Sequence, residues 1–318
     1  MRIGVVLPIS QEDDMAAPPS YAHIRAVALA AEAADFDSLW VYDHLLFRFD
    51  GETTGCHEAW TVLSAIAEAT TRVELGTIVM CTSFRNPALL AKMAGTLDHV
   101  SGGRLVLGIG CGWHDPEYEA FGYPTDHKVG RFEEALTVIR DLIRDGRADL
   151  DGRWTQASDA VLVPPARPDI PILIAAKRPR MLELTARHAD AWNLAWFGMP
   201  NERLAEGRAN LASACSDVGR DPATLDITVG INVRYPDLAT EAYPVGTEGE
   251  ALTGSIDEVA AGLAAHAELG ATHLIANLEP ATPPAVERFA AAMTRFRGTA
   301  SEAPAATPSA TPTVPPTD

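Results

Sequence analysis

Phe36-Asp37-Ser38-Leu39-Trp40-Val41-Tyr42-Asp43-His44 is the stretch whose reading decides the fold. Residues 38–41 make a short apolar run that stops on an acid and a histidine. Before it, residues 21–34 are rich in alanine, with Ile24, Val27, Ala28 and Ala31 at helical spacing. An apolar run entered from such a helix suits a strand of a parallel sheet buried on both faces. Folds of that kind keep their chemistry at the carboxyl ends of the strands, so Asp43 and His44 are the first candidate site residues.

Working outward, the same pattern repeats. Strands are expected at residues 3–7, 38–41, 73–80, 104–109, 170–175, 191–194, 225–233 and 273–278. Helices are expected at 21–34, 58–70, 86–100, 131–144, 179–188, 201–218, 255–269 and 284–297. Asn86 before Pro87 reads as an N-cap and first turn. Ser255 with Glu258 reads as a capping box, and Gly270 as a helix stop. Strictly alternating strands and helices predict an α/β fold, a closed (β/α)8 TIM barrel. Residues 146–167, between the fourth and fifth strands, read as a hairpin-like insertion. Residues 48–55 and 114–130 read as loops. The barrel domain is expected over residues 1–298. Residues 299–318 are almost only Ala, Pro, Thr and Ser, a composition that cannot bury a core, so a disordered tail is expected there.

Composition narrows the partners. Lys and Arg total 25 against 43 Asp and Glu, a net charge of -18. That balance argues against nucleic acid or an anionic membrane as the main partner and leaves room for a local basic pocket. Cys56, Cys81, Cys111 and Cys215 are scattered without CxxC spacing, so neither a zinc site nor a redox pair is signalled, and no metal is expected. The start of the chain is strand-like rather than a signal peptide, and no apolar run is long enough to span a bilayer. The expected setting is a reducing cytoplasm.

Reading the strand ends in order assembles the candidate site. The bland reading of Asp43-His44 is a turn cap beside a satisfied core histidine. At the end of a barrel strand, an acid–base or ring-binding role outweighs it. Ala176-Lys177-Arg178-Pro179 stands where a strand ends and a helix begins, and helix amides with cationic side chains make a phosphate seat. A solvated turn is the competing reading. A Schiff-base lysine at Lys177, as in barrel aldolases, is the reading from another enzyme class. Gly110-Cys111-Gly112-Trp113 would let a ring approach the backbone, with Trp113 as a wall; a plain strand-ending turn is the alternative. Trp192, Asn193 and Trp196 either line a substrate cavity or belong to the core.

Several motifs in order resemble the luciferase-like family of flavin- and F420-dependent oxidoreductases. They are FDSLWVYDH at 36–44, EAWT at 58–61, RVELGT at 72–77, FRNPALLAK at 84–92, LDHVSGGRLVLGIGCGW at 97–113 and RHADAWN at 187–193. The resemblance implies a (β/α)8 barrel with a flavin or deazaflavin ring over its mouth. It implies that His44, with Asp43, contacts the ring or the reacting centre. It implies a non-proline cis peptide behind the ring near Ile78, Val79 and Met80. The cofactor phosphate would lie at residues 175–180, where many relatives carry a glycine- and serine-rich loop and this chain carries Ala-Ala-Lys-Arg-Pro. Two cofactors fit that picture: reduced FMN supplied by a separate flavin reductase and used with oxygen on a small organic substrate, or F420 exchanging a hydride. FMN is favoured, because nothing marks a channel for an oligoglutamate chain. A homodimer is expected by the same resemblance. A barrel that binds flavin without catalysis is the third functional class.

Overall fold

The computed structural model describes residues 1–12 and 15–302, the last three by backbone alone. The chain opens with β1 (Arg2–Val6), α1 (Tyr21–Ala33) and β2 (Ser38–Val41), then the short pair β3 (Leu46–Phe49) and β4 (Glu52–Gly55). Next come α2 (Ala59–Ala69), β5 (Glu74–Thr77), β6 (Met80–Cys81), α3 (Pro87–Ser101) and β7 (Leu105–Gly110). The segments α4 (Asp115–Phe121), α5 (Lys128–Asp145), β8 (Arg147–Asp151) and β9 (Gln156–Val161) follow. The second half alternates β10 (Ile172–Ala175), α6 (Pro179–His188), β11 (Ala191–Phe197), α7 (Glu202–Asp217), β12 (Asp226–Arg234), α8 (Ile256–Glu268), β13 (His273–Glu279) and α9 (Pro283–Glu302).

Strands β1, β2, β5, β7, β10, β11, β12 and β13 pair in that order, all in parallel, and β13 returns to β1. The sheet is therefore closed, as the alternation predicts. Side-chain alternation divides each strand between two environments. In β2, Leu39 and Val41 face the helices and join the large outer core. Trp40 faces inward with Val6, Ile78, Val106, Leu173, Ala191 and Ile275.

Trp40 fills the amino-end half of the barrel, and two glycines make room for it. A Cβ on Gly76 would collide with the Trp40 ring, and one on Gly4 with the Ser38 hydroxyl. The Ser38 hydroxyl accepts from Trp40 Nε1 at 2.7 Å and shares a 2.7 Å hydrogen bond with His273 Nε2. Burial pushes His273 down to about 3, so this ring is neutral. The floor of the barrel is thus sealed and its polar atoms partnered.

Around the barrel, the expected caps are present. Asn86 accepts from the amides of Ala88 and Leu89, and Ser255 with Glu258 forms a capping box. The insertion between the fourth and fifth barrel strands is the antiparallel pair β8–β9. Three expectations need correction. Residues 48–55 are not a loop: they belong to the β3–β4 hairpin, which turns at Asp50 and Gly51, both at positive φ (49° and 87°). That geometry is what an Asp-Gly pair favours in a two-residue turn. Residues 114–130 contain α4 and the start of α5; seven helical residues ending on Gly122 are too few to show a period. The closing helix runs on through Glu302, so the boundary expected at 298 falls inside α9. The expectation of disorder from 303 onward lies outside the described residues.

Candidate active site

The mouth of the barrel is ringed by the residues that follow β2, β5, β7, β10, β11, β12 and β13. Asp43 and His44, adjacent in sequence, are held by different partners. Asp43 is buried and takes a bidentate ion pair from Arg85 (2.5 and 3.0 Å), and it accepts the Cys81 amide at 2.9 Å. Burial pushes its carboxyl up, against the opposing pull of Arg85 and the Cys81 amide. Asp43 therefore fastens the chain that leaves β5, with both carboxylate oxygens engaged by protein groups. Arg85 also bridges to Glu58 at 2.6 Å.

His44 shares a 3.0 Å hydrogen bond from Nδ1 with Glu117 Oε1, while Glu117 Oε2 accepts the Leu45 amide at 2.9 Å. Glu117 is 1% exposed. The His44 ring lies among Tyr42, Phe47, Trp113 and His114, closest to Phe47 at 4.3 Å between centroids. Its Nε2 has no hydrogen-bond partner among the described residues. His114, itself buried, accepts the Arg48 amide on Nε2 at 2.9 Å, and burial pushes its pKa down. Glu117 and His114 were not found by reading strand ends, because both belong to the segment read as a loop.

Between β5 and β6 the Ile78–Val79 peptide is cis, at the position the resemblance implies. Ile78 and Val79 pack with the barrel interior, whereas Met80 joins the helix-facing core and cannot reach the mouth. The glycines after β7 serve packing more than ligand approach. A Cβ on Gly110 would meet Val79 Cγ2 at 2.6 Å, and one on Gly112, at φ 74°, would collide with the Tyr118 hydroxyl. Cys111 packs against the outer core and its carbonyl accepts from Tyr118 at 2.9 Å. Trp113 alone of this run stands out into the mouth, 63% exposed and stacked with Phe49 at 6.4 Å. Cys81 contacts the Tyr118 hydroxyl at 2.9 Å, and burial pushes its thiol up to about 11, the state of an inert cysteine.

The segment after β10 carries the cations. Lys177, Arg178 and Pro179 are exposed, Pro179 is the first residue of α6, and that helix has no side-chain cap. Neither Lys177 nor Arg178 makes a side-chain hydrogen bond or ion pair among the described residues. Arg180 is engaged by Glu133. Lys177 is exposed by area yet flanked by protein on one side, and that partial desolvation, with Arg203 nearby, pushes its pKa down. Arg203 binds the carbonyls of Ala195 and Trp196 and lies over the Phe197 ring, a rim cation that sequence reading missed. Ala176 is buried, its carbonyl accepting from Trp192 Nε1 at 2.8 Å.

Trp192 is a correction: it is fully buried on the helix side of β11, against α7, where it belongs to the core. Asn193 is buried and donates to Thr228 Oγ1 at 2.9 Å. Trp196 does reach the mouth, 36% exposed, over Gly230. The Ala195–Trp196 peptide is also cis and non-proline, which no reading of the sequence foresaw. A cavity of about 430 Å³ opens beside this mouth at the ends of β1, β2, β12 and β13. Pro8, Ser10, Tyr42, Arg234, Asn277 and Glu279 line it, with residues 243–248 as a further wall. Arg234 and Glu279 are ion-paired at 2.7 Å. Among the described residues no group of His, Cys, Asp or Glu is arranged to hold a metal ion, and no helix is long and apolar enough to cross a membrane.

A closed parallel barrel with an imidazole, uncapped cations and a cavity at its strand tips is laid out as an enzyme with its site at the mouth. The family model described as luciferase-like monooxygenase matches residues 1–244, and the chain belongs to that family. It is an oxidoreductase by that membership and by its relatives. It is 37% identical over 231 residues to a phthiodiolone/phenolphthiodiolone dimycocerosates ketoreductase of Mycobacterium sp. (strain JLS), covering 66% of this chain and 60% of that protein. It is 31% identical over 277 residues to the pyrimidine monooxygenase RutA of Rhizobium rhizogenes, covering 79% of this chain and 74% of that one. In fold it is similar to an F420-dependent secondary alcohol dehydrogenase (TM-score 0.76, 19% identity, covering 93% and 99%). The monooxygenase RslO1 from Streptomyces bottropensis is equally similar in fold (TM-score 0.76, 22% identity, covering 93% and 100%).

Proposed function

We propose that this oxidoreductase works with reduced FMN at the barrel mouth, supplied by a separate flavin reductase, to oxygenate a small organic substrate. The observation that carries the reading is the uncapped start of α6 with Lys177 and Arg178 unpaired beside it. Helix amides and two free cations suit a phosphate, and the exposed Trp113 and Trp196 rings suit a planar group beside it. The residues present therefore fit a flavin phosphate with an aromatic ring system. Bound there, the cofactor would supply two electrons.

The chain's own residues supply the rest. Lys177, Arg178 and the first amides of α6 hold the phosphate. Val79, Trp113 and Trp196 bound the ring and exclude water. His44 offers Nε2 to the reacting centre as the acid–base group. The 430 Å³ cavity beside Tyr42 and Arg234 takes the substrate, a volume that admits a small organic molecule. Its polar lining calls for a substrate with hydrogen-bonding groups. The four cysteines are free thiols, in keeping with a reducing cytoplasm.

The likeness to RutA supports the oxygenating reading. The likeness to a ketoreductase favours the second reading, hydride exchange with F420, in which the same rim would seat the F420 phosphate. The acidic chain, at -18, disfavours the polyanionic tail of that cofactor. A Schiff-base role for Lys177 has less support, because the residue stands exposed on the rim rather than inside the barrel. Titration with oxidised FMN, reduced FMN and F420, followed by tryptophan fluorescence, tests the proposal. Tight binding of reduced FMN is expected; binding of F420 alone would select the second reading, and binding of none would remove both. Turnover unchanged in His44→Ala would favour a non-catalytic flavin carrier. A homodimer belongs to the same proposal, and sedimentation equilibrium tests it.

A further inference from the structure

We propose that Glu117 is the positioning residue for His44: its carboxylate holds the imidazole with the proton on Nδ1 and turns a bare Nε2 toward the barrel mouth. The inference rests on the proposed role of His44 and goes beyond it, because it fixes the direction of proton traffic. A carboxylate accepts and does not donate, so the nitrogen facing Glu117 Oε1 at 3.0 Å must carry the hydrogen. In the neutral ring the other nitrogen is then an acceptor. His44 accordingly meets its ligand as a base, taking a proton at Nε2, and the resulting imidazolium faces a carboxylate already in place.

The surroundings leave Glu117 little freedom. It is 1% exposed, and its second oxygen is occupied by the Leu45 amide at 2.9 Å. One side chain from α4 therefore fixes both the imidazole and the entry to the β3–β4 hairpin. The other groups around the ring are Tyr42, Phe47, Trp113 and His114. Tyr42 is bonded to Ser10, and His114 Nε2 is occupied by the Arg48 amide. Glu117 is thus the one carboxylate bonded to the His44 ring among the described residues.

Nitrogen-15 NMR of the histidine-labelled protein tests this without cofactor or substrate. It is done across a pH series, and the tautomer is read in the range where the nitrogen shifts no longer change with pH. The wild-type protein is expected to show His44 as a single Nδ1–H form, with a proton resonance far downfield from its charge-assisted bond. In Glu117→Ala a several-fold gain of the Nε2–H form is expected. Glu117→Gln, which keeps an acceptor and the shape of the side chain, should fold where the alanine variant does not, and its Nδ1 proton should move upfield. A wild-type Nε2–H form, or a tautomer and proton shift unchanged in the variants, would overturn the inference. Addition of FMN should then shift Nε2 and leave Nδ1–H in place. If FMN binds and moves neither nitrogen, the proposed role of His44 falls while the Glu117–His44 pair stands.

Discussion

At the amino ends of the barrel strands, Ser38, Trp40 and His273 satisfy one another's polar atoms around a tryptophan that two glycines accommodate. At the carboxyl ends of the same strands, His44 Nε2, Lys177 and Arg178 have no partner among the described residues, and Trp113 lies 63% exposed. Strand β2 and the three residues that follow it cross both regimes within seven residues, from Ser38 to His44. The difference separates two duties: the floor contributes stability, and the mouth keeps unpaired groups that contribute nothing until a ligand arrives. Substitutions at the two ends should therefore fail in different assays.

The largest effect is expected at the mouth and in affinity only. Lys177→Ala with Arg178→Ala should cost roughly 1.5–3 kcal/mol of cofactor affinity for each charged hydrogen bond lost. Urea unfolding should move by no more than about 0.5 kcal/mol. Calorimetric titration with FMN and denaturant melts on one sample check both halves, and a large loss of stability would break the comparison. At the floor, Trp40→Ala should lower stability by about 3–5 kcal/mol through the cavity it leaves. Gly76→Ala, which pushes a methyl into the Trp40 ring, should cost about 1–3 kcal/mol. Either variant retaining wild-type stability would mean the floor is loosely packed.

A pH effect sharpens the contrast. Burial pushes His114, His188, His266 and His273 down, so the unfolded chain binds protons that the folded chain refuses. Stability should therefore fall as the pH drops through 6.5, the ordinary histidine value. Urea midpoints at about pH 7.5 and about pH 5.5 test the sign. His273→Asn should flatten the slope. The smallest effect is expected for Trp113→Ala, within about 0.5 kcal/mol of wild-type stability, since its ring is mostly in water.

The general plan was legible in the sequence because it rests on periodicity, whereas the floor was not, since Ser38 meets His273 across 235 residues. Apolar strands, alanine-rich helices and the caps at Asn86 and Ser255 are local signals, and each appears where expected. The mouth was legible only in part. Asp43 and His44 were found as a pair, but their separate fates depend on Arg85, 42 residues on, and Glu117, 73 residues on from His44. No local pattern encodes such contacts. Of the two readings open for Trp192, substrate cavity or core, the core one holds, because alternation along β11 sends it outward while Asn193 turns in. The glycines of 110–112 looked like room for a ligand, and that room is occupied by Val79 and Tyr118.

One consequence concerns kinetics. Lys177 and Arg178 form a small positive spot on a body whose formal charge is -18. An anion approaching from a distance is repelled by the whole molecule and attracted only within the last Debye length, about 8–10 Å near physiological salt. Added salt screens the distant repulsion and also the final attraction. Encounter with a phosphorylated ligand should quicken at first as ionic strength rises, while its residence time shortens, the reverse of the steering seen where body and binding spot oppose the ligand's charge together.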